Sequence, residues 1–267
     1  MKVAVCQSPV TAEISANGRA IRKLIGEAAD RGARLAVFCE SALSGFAKEH
    51  VLSWSSFDWG SLDREMASIA ALCRERGVFA AVGTAQRIDG DHPPHNSLLI
   101  ISDRGERIAC YDKRFLSNSE LRGWYTPGDG SVTFSVDGYL FGCAICIETQ
   151  FPELFIDYER LGVDAVLFPS MSLPPFFLTS TLAHAGHNCI WIAAATCTNA
   201  AEQGPSGIAG PDGKWMAQCA PAGQLAIAEI DRADPAFDIA LNRARPWRAA
   251  ARQGDIYRAA AMIGEKA

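Results

Sequence analysis

The chain has no basic run and no positive excess: 25 Lys and Arg stand against 30 Asp and Glu, a net charge of −5. A nucleic-acid surface is therefore not expected. No apolar run reaches the ~18 residues that a membrane-spanning helix requires, so no membrane association is expected. No stretch rich in Pro, Gly and Ser separates one part of the chain from another. Residues 1–267 are accordingly expected to form one domain, with 231–267 as its C-terminal tail. No export signal is expected at residues 1–7, which turn polar too early for a signal-peptide core and read as a first strand. Nine cysteines without such a signal are expected to be mostly reduced and buried, and the expected compartment is the cytoplasm.

What the chain has is apolar side chains, 49% of 267 residues, enough for a sizeable core. They are patterned. Short apolar runs at 3–7, 35–38 and 78–83 alternate with helix-spaced segments at 17–31 and 62–76. Gly32 and Gly77 stop the two helices, and Ser61 is the expected cap of the second. Strands at 96–102 and 107–111 follow, joined by Asp103-Arg104-Gly105. The pattern then recurs. Strands at 132–136 and 139–145 flank Asp137-Gly138, a hairpin signal. A helix at 152–161, a strand at 165–168, a helix at 177–188 and an apolar strand at 190–197 come next. Strands at 206–210 and 214–219 flank Pro211-Asp212-Gly213, and a last strand spans 225–230. Alternating strands and helices imply parallel sheet with helices on a face, and the hairpins add antiparallel members. Two such halves bury themselves best as two mixed sheets packed face to face, with the helices outside.

Three strand ends carry complementary chemistry. Cys146 follows an apolar strand and precedes a helix opened by Pro152-Glu153. A thiol there faces backbone N–H groups, which are expected to lower its pKa and to hold a developing oxyanion. Glu40 ends a second strand, and Lys113 lies two residues past Tyr111 at the end of a third. Ligands in open α/β sheets bind beyond the carboxyl ends of strands, so all three side chains can reach one crevice. A thiolate can attack a carbon bonded to nitrogen. A carboxylate can take the thiol proton and return it to a departing amine, and an ammonium can hold the oxyanion.

Each of these motifs is weak alone. Val37-Phe38-Cys39-Glu40-Ser41-Ala42-Leu43-Ser44-Gly45-Phe46, Tyr111-Asp112-Lys113-Arg114-Phe115-Leu116 and Gly142-Cys143-Ala144-Ile145-Cys146-Ile147-Glu148-Thr149-Gln150-Phe151-Pro152-Glu153 occur together and in order. The sequence in this respect resembles the nitrilase superfamily of carbon–nitrogen hydrolases, over nearly the whole chain. The resemblance extends to Glu120 with Tyr125-Thr126-Pro127-Gly128, a second glutamate that supports the lysine and positions substrate. It also extends to Arg245-Pro246-Trp247, Arg252 and Asp255-Ile256-Tyr257 near the end. It implies a four-layer α-β-β-α sandwich with internal pseudo-symmetry, assembling as a homodimer or larger homo-oligomer. It implies a Glu40–Lys113–Cys146 triad that hydrolyses a small amide through a thioester, with no cofactor and no metal. The Ile147 N–H and Lys113 would hold the oxyanion. Trp124, Tyr125 and Phe176, on loops near strand ends, are candidate pocket residues.

The chain departs from the family at two places. His184-Ala185-Gly186-His187-Asn188 stands where many members have Arg-Ala-x-Glu-Asn. Ile147-Glu148 follows the cysteine where amidases often have Tyr-Asp and nitrile-cleaving members Trp-Glu. Nitrile and carbamoyl substrates therefore stay open, as does acyl transfer. A reading of a different class, a metal- or ligand-binding face at His184 and His187, competes with two hydrogen-bonded helix histidines. The second is the commoner outcome for such a pair. Cys143 and Cys146 form a C-x-x-C, but residues three apart on a strand face opposite sides, so Cys143 is expected in the core.

Overall fold

In the computed structural model, which describes residues 1–220, 223–254 and 258, two six-stranded mixed sheets face each other. The first contains β1 (Lys2–Cys6), β2 (Leu35–Phe38), β3 (Phe79–Gln86), β4 (His95–Ile101) and β5 (Arg107–Asp112). The second contains β6 (Phe134–Val136), β7 (Tyr139–Cys143), β8 (Ala165–Pro169), β9 (Trp191–Ala195), β10 (Gly207–Ala209) and β11 (Trp215–Gln218). The last strand, β12 (Leu225–Glu229), returns to the edge of the first sheet. Helices α1 (Ile14–Asp30) and α2 (Trp59–Arg76) cover the first sheet, and α3 (Pro152–Arg160) and α4 (Pro175–Asn188) cover the second. Helix α5 (Arg245–Gln253) follows at the end. The result is a four-layer α-β-β-α sandwich.

The layers follow from the two-residue period of strand side chains. Val3, Val5, Leu35 and Val37 point inward and meet Phe141, Cys143, Ala165, Leu167 and Trp191 from the other sheet. Their alternates Ala4, Cys6, Ala36 and Phe38 meet Ile21, Leu24 and Ile25 of α1. In the second sheet Val166, Phe168 and Ile192 meet Leu154, Phe155 and Tyr158 of α3. Strands buried on both faces read as continuous apolar runs, which is how β2 and β8 look in the sequence.

The two sheets repeat one topology. β12-β1-β2-β3-β4-β5 and β6-β7-β8-β9-β10-β11 both run antiparallel, parallel, parallel, antiparallel, antiparallel from neighbour to neighbour. Two reversals restore direction, so β5 ends on the same side of its sheet as β2 and β3. This brings the ends of β2 and β5, and hence Glu40 and Lys113, to one side.

Several boundaries differ from the sequence reading, among them the starts of α1, α2 and α4 and the ends of β3, β7 and β9. Helix α2 begins at Trp59, not Leu62, and its cap is Asp58, whose Oδ1 accepts the Ser61 N–H at 2.8 Å. Aspartate is as good a cap as serine, and from three residues earlier it satisfies the third N–H of the turn. Strand β7 ends at Cys143, and a 3-10 turn over Cys146–Gln150 separates it from α3. The motif residues Asp255, Ile256 and Tyr257 lie outside the described residues. No helix among the described residues is long and apolar enough to cross a membrane.

Candidate active site

Glu40 sits two residues beyond β2, where the chain turns sharply: Ser41 has φ +55°. The turn presses against β3, and a Cβ on Gly83 would collide with the Cys39-Glu40-Ser41 backbone. Leu43 N–H then bonds Gly83 O at 3.0 Å. A glycine in mid-strand, normally a cost, is here the space through which the Glu40 backbone passes.

Lys113 is the first residue after β5 and is fully buried, which is rare for lysine and requires partners. Its Nζ donates to Glu40 Oε1 at 2.9 Å and to Glu120 Oε1 and Oε2 at 2.9 and 3.0 Å. Asn96, on β4, donates its Nδ2 to Glu40 Oε1 at 2.8 Å and to Glu120 Oε1 at 3.0 Å. Met171 N–H, from the loop after β8, reaches Glu40 Oε2 at 3.1 Å, and Ser117 N–H reaches Glu120 Oε2 at 2.7 Å. Both carboxylates are thus buried and multiply hydrogen-bonded, with one ammonium between them.

Cys146 enters from the opposite sheet. Its φ is +55°, a left-handed conformation that non-glycine residues adopt at a cost of roughly 1–3 kcal/mol. The strain turns the chain out of β7 and into the 3-10 turn. Cys146 is partly buried, and it interacts electrostatically with both Glu40 and Lys113. Cys143, three residues earlier, is wholly buried between the sheets, as alternation predicts. All nine cysteines are free thiols.

The protonation of this cluster overturns one expectation. The thiol of Cys146 is not lowered but pushed up to about 12, first by burial and then by the negative charge of Glu40, against the opposing pull of Lys113. Local charge adds to the effect of burial: two carboxylates face one ammonium, so a third anion is unfavourable. A 3-10 turn of five residues offers little dipole to offset that. Lys113 is raised despite burial, which lowers it, because Glu40, Cys146 and Glu120 outweigh that effect. Glu120 is lowered: burial raises it, but Lys113 and its hydrogen bonds prevail. The resting arrangement is a neutral thiol beside a carboxylate that can accept its proton.

The lowered Glu120 carries a stability prediction. Its folded pKa lies below the ordinary 4.5, so its contribution is complete above 4.5 and is lost as pH falls through the lower folded value. Thermal unfolding of wild type and Glu120→Gln between pH 3 and 7 should show wild type ahead at pH 6–7. The gap should narrow steadily below about pH 4.5. A gap independent of pH would separate the Lys113 contact from stability.

The remaining candidates distribute unevenly. Tyr125 is buried with Ala47 and Ala85, its ring 5.5 Å from Trp54. Trp124 is half-buried and its carbonyl accepts Trp54 Nε1–H at 2.6 Å. Phe176 is 56% exposed on the first turn of α4, packed edge-on against Phe177 at 4.7 Å. Ile147 packs on the α3 side, next to Cys146 in the 3-10 turn. His184 is buried, stacked on Phe155 at 3.9 Å, with Nε2 at 2.9 Å from Thr149 O. Burial lowers its pKa, so it is a neutral, hydrogen-bonded helix histidine. Among the described residues no group of three His, Cys, Asp or Glu side chains is placed to hold a metal ion.

Two residues escape the sequence reading. Asn96 stands at the polar start of β4, where its only signal is a polar residue at a buried position. Glu148 reads as a branch marker, yet it is wholly buried and accepts hydrogen bonds from both Tyr111 and the backbone.

Known proteins resemble this chain along most of its length. The carbon-nitrogen hydrolase family model matches residues 2–236. The hydrolase in the pqqF 5′ region of Pseudomonas protegens is 28% identical over 91% of this chain and 87% of its own. The deaminated glutathione amidase of Rattus norvegicus is 27% identical over 86% and 76%. In the structure of a variant amidase from Nesterenkonia, the TM-score is 0.77 at 20% identity, over 92% of this chain and 97% of that one. Another variant of that amidase carries the acetamide moiety of fluoroacetamide covalently on its active site cysteine. Nit3 of Saccharomyces cerevisiae, a nitrilase-superfamily member, superimposes with a TM-score of 0.74 at 19% identity, over 87% and 90%. The match of the family model over most of the chain, on the sandwich described above, makes this chain a member of the carbon–nitrogen hydrolase family, a hydrolase of C–N bonds.

Proposed function

We propose that the chain is a cysteine-dependent amidase for small, neutral, linear amides. The observation that carries this reading is Lys113 Nζ held at 2.9 Å from both Glu40 and Glu120, beside the left-handed Cys146 turn. Glu40 takes the Cys146 proton as the sulfur attacks the amide carbon. Because the thiol rests protonated, the attack requires Glu40 as the base that removes its proton. The oxyanion is held by Lys113, which has three N–H donors and two carboxylate partners, and by the Ile147 N–H. Glu40 then gives its proton to the leaving ammonia, and a thioester remains. Water activated by Glu40 hydrolyses it. Glu120 and Asn96 hold Lys113 and Glu40 in place. No step needs a metal or cofactor.

The whole chain, 1–267, acts in this reading as one cytoplasmic domain that self-associates as a homodimer or larger homo-oligomer. Nitrile or carbamoyl hydrolysis on the same groups is the second reading, kept open by Ile147-Glu148, which matches neither the amidase nor the nitrile-cleaving dipeptide. Acyl transfer is the third.

Substrate charge follows from the cluster. Two buried carboxylates already share one ammonium, and Arg122 is exposed on the loop that carries Glu120. A carboxylate-bearing acyl group entering here meets an ammonium already committed to two carboxylates, and desolvating it unpaired is costly. An apolar chain gains about 0.8 kcal/mol per buried CH₂. Ammonia release from paired neutral amides and dicarboxylic monoamides should favour the neutral ones. A preference for the monoamides that disappears in Arg122→Ala would place a cationic clamp in the site.

A further inference from the structure

Glu148 lies two residues after Cys146 and is wholly buried, and among the described residues it forms no ion pair with a lysine or arginine. Burying a carboxylate without a cation is expensive unless several donors replace the lost water. Glu148 has them from two directions. Its Oε1 accepts the Arg114 N–H at 2.8 Å and the Phe115 N–H at 3.0 Å, the two peptides that follow Lys113. Its Oε2 accepts the Ile145 N–H at 2.6 Å, the peptide that precedes Cys146. The Tyr111 hydroxyl, two residues before Lys113, lies 2.9 Å from both oxygens.

The donors bracket both reactive residues, and those residues belong to different sheets. Lys113 leaves β5 of the first sheet and Cys146 leaves β7 of the second. The sheets touch through apolar side chains, which are non-directional and fix no register between two strand ends. One rigid carboxylate binding peptides from both ends supplies the direction that packing lacks. We infer that Glu148 is a positioning residue that sets the distance between the Cys146 thiol and the Lys113 ammonium, by clamping both turns on a single side chain. The inference rests on Cys146 and Lys113 acting as proposed above.

The chemistry of the clamp makes it testable by a substitution that keeps its shape. Glutamine has one acceptor oxygen and one NH₂ group. With the oxygen toward Arg114 and Phe115, the NH₂ opposes the Ile145 N–H. Turned over, it opposes the two peptides after Lys113. Glu148→Gln must therefore release one turn or the other, while filling the same volume. Tyr111→Phe removes only the hydroxyl and leaves both peptide clamps.

The experiment measures kcat and KM for a small neutral amide across pH 6–9, with the rate of Cys146 alkylation by iodoacetamide read on its own peptide. Glu148→Gln should lower kcat about 100-fold, the scale of a 1 Å misplacement, with KM changed less than threefold and the shape of the pH profile retained. Tyr111→Phe should lose less than tenfold. Alkylation should change in Glu148→Gln, because the thiol has moved relative to Lys113. A folded Glu148→Gln with wild-type kcat overturns the inference, as does a kcat loss that grows or fades with pH, which would make Glu148 an acid or base. Should Glu148→Gln fail to fold, Glu148→Asp decides. Its carboxylate keeps both acceptors but is one CH₂ short, so wild-type kcat there overturns the clamp and a loss at unchanged KM supports it. Cys146→Ala is measured alongside. Turnover in Cys146→Ala defeats the underlying reading, whereas an inactive Cys146→Ala beside a fully active Glu148→Gln defeats the clamp alone.

Discussion

Cys146→Ala should abolish amide hydrolysis, by about 10⁴-fold or more, and leave the fold intact. The loss is large because no other thiol can take over. Seven of the remaining eight cysteines are buried, and the eighth, Cys110, is half-buried on β5. The structural cost is small because the side chain is only partly buried, and removing one sulfur opens little cavity. Thermal unfolding of the variant should stay within about 1 kcal/mol of wild type at the transition. Its activity should not return with high substrate. Hydrolysis surviving in purified, folded Cys146→Ala would remove the thioester from the mechanism.

Glu40→Gln should lose about 10²–10⁴-fold in turnover at every pH between 6 and 9. Its thiol should behave in the opposite sense. Glu40 is the leading charge that raises the Cys146 pKa, second only to burial, so neutralising it lowers that pKa toward the ordinary thiol range. In wild type, where the thiol is pushed up to about 12, iodoacetamide alkylation should climb through pH 7–10 without a plateau. In Glu40→Gln the same curve should shift to lower pH while hydrolysis disappears. A variant that both hydrolyses amides and keeps the wild-type alkylation profile would show that the proton goes elsewhere. His184→Ala and His187→Ala supply the comparison. His184 is neutral, buried and hydrogen-bonded to Thr149 O, so its loss should cost stability through a cavity and leave most of the turnover.

The sequence by itself determined the layers. Val3, Val5, Leu35 and Val37 alternate with Ala4, Cys6, Ala36 and Phe38, and a period of two is sufficient to say which face meets the other sheet and which meets a helix. It also determined that Glu40, Lys113 and Cys146 follow strands, since each comes after an apolar run, and that Cys143 turns into the core. Local signals carry such information because they depend on neighbours within a few residues.

Three matters were decided only by tertiary structure. The protonation of Cys146 depends on charges 106 positions away in the case of Glu40 and 33 in the case of Lys113 (146 − 40 and 146 − 113), and no local pattern reports their sum. Local geometry alone pointed to a lowered thiol, and the assembled cluster raises it. Asn96 bonds both carboxylates because β4 passes beside them, a consequence of sheet order rather than of its own surroundings in sequence. Glu148 gathers peptides from two sheets, so its role exists only once β5 and β7 have met. Periodicity fixes which way a side chain points. Electrostatics and buried hydrogen bonds depend on everything within a few ångströms, and in this chain those neighbours come from opposite halves.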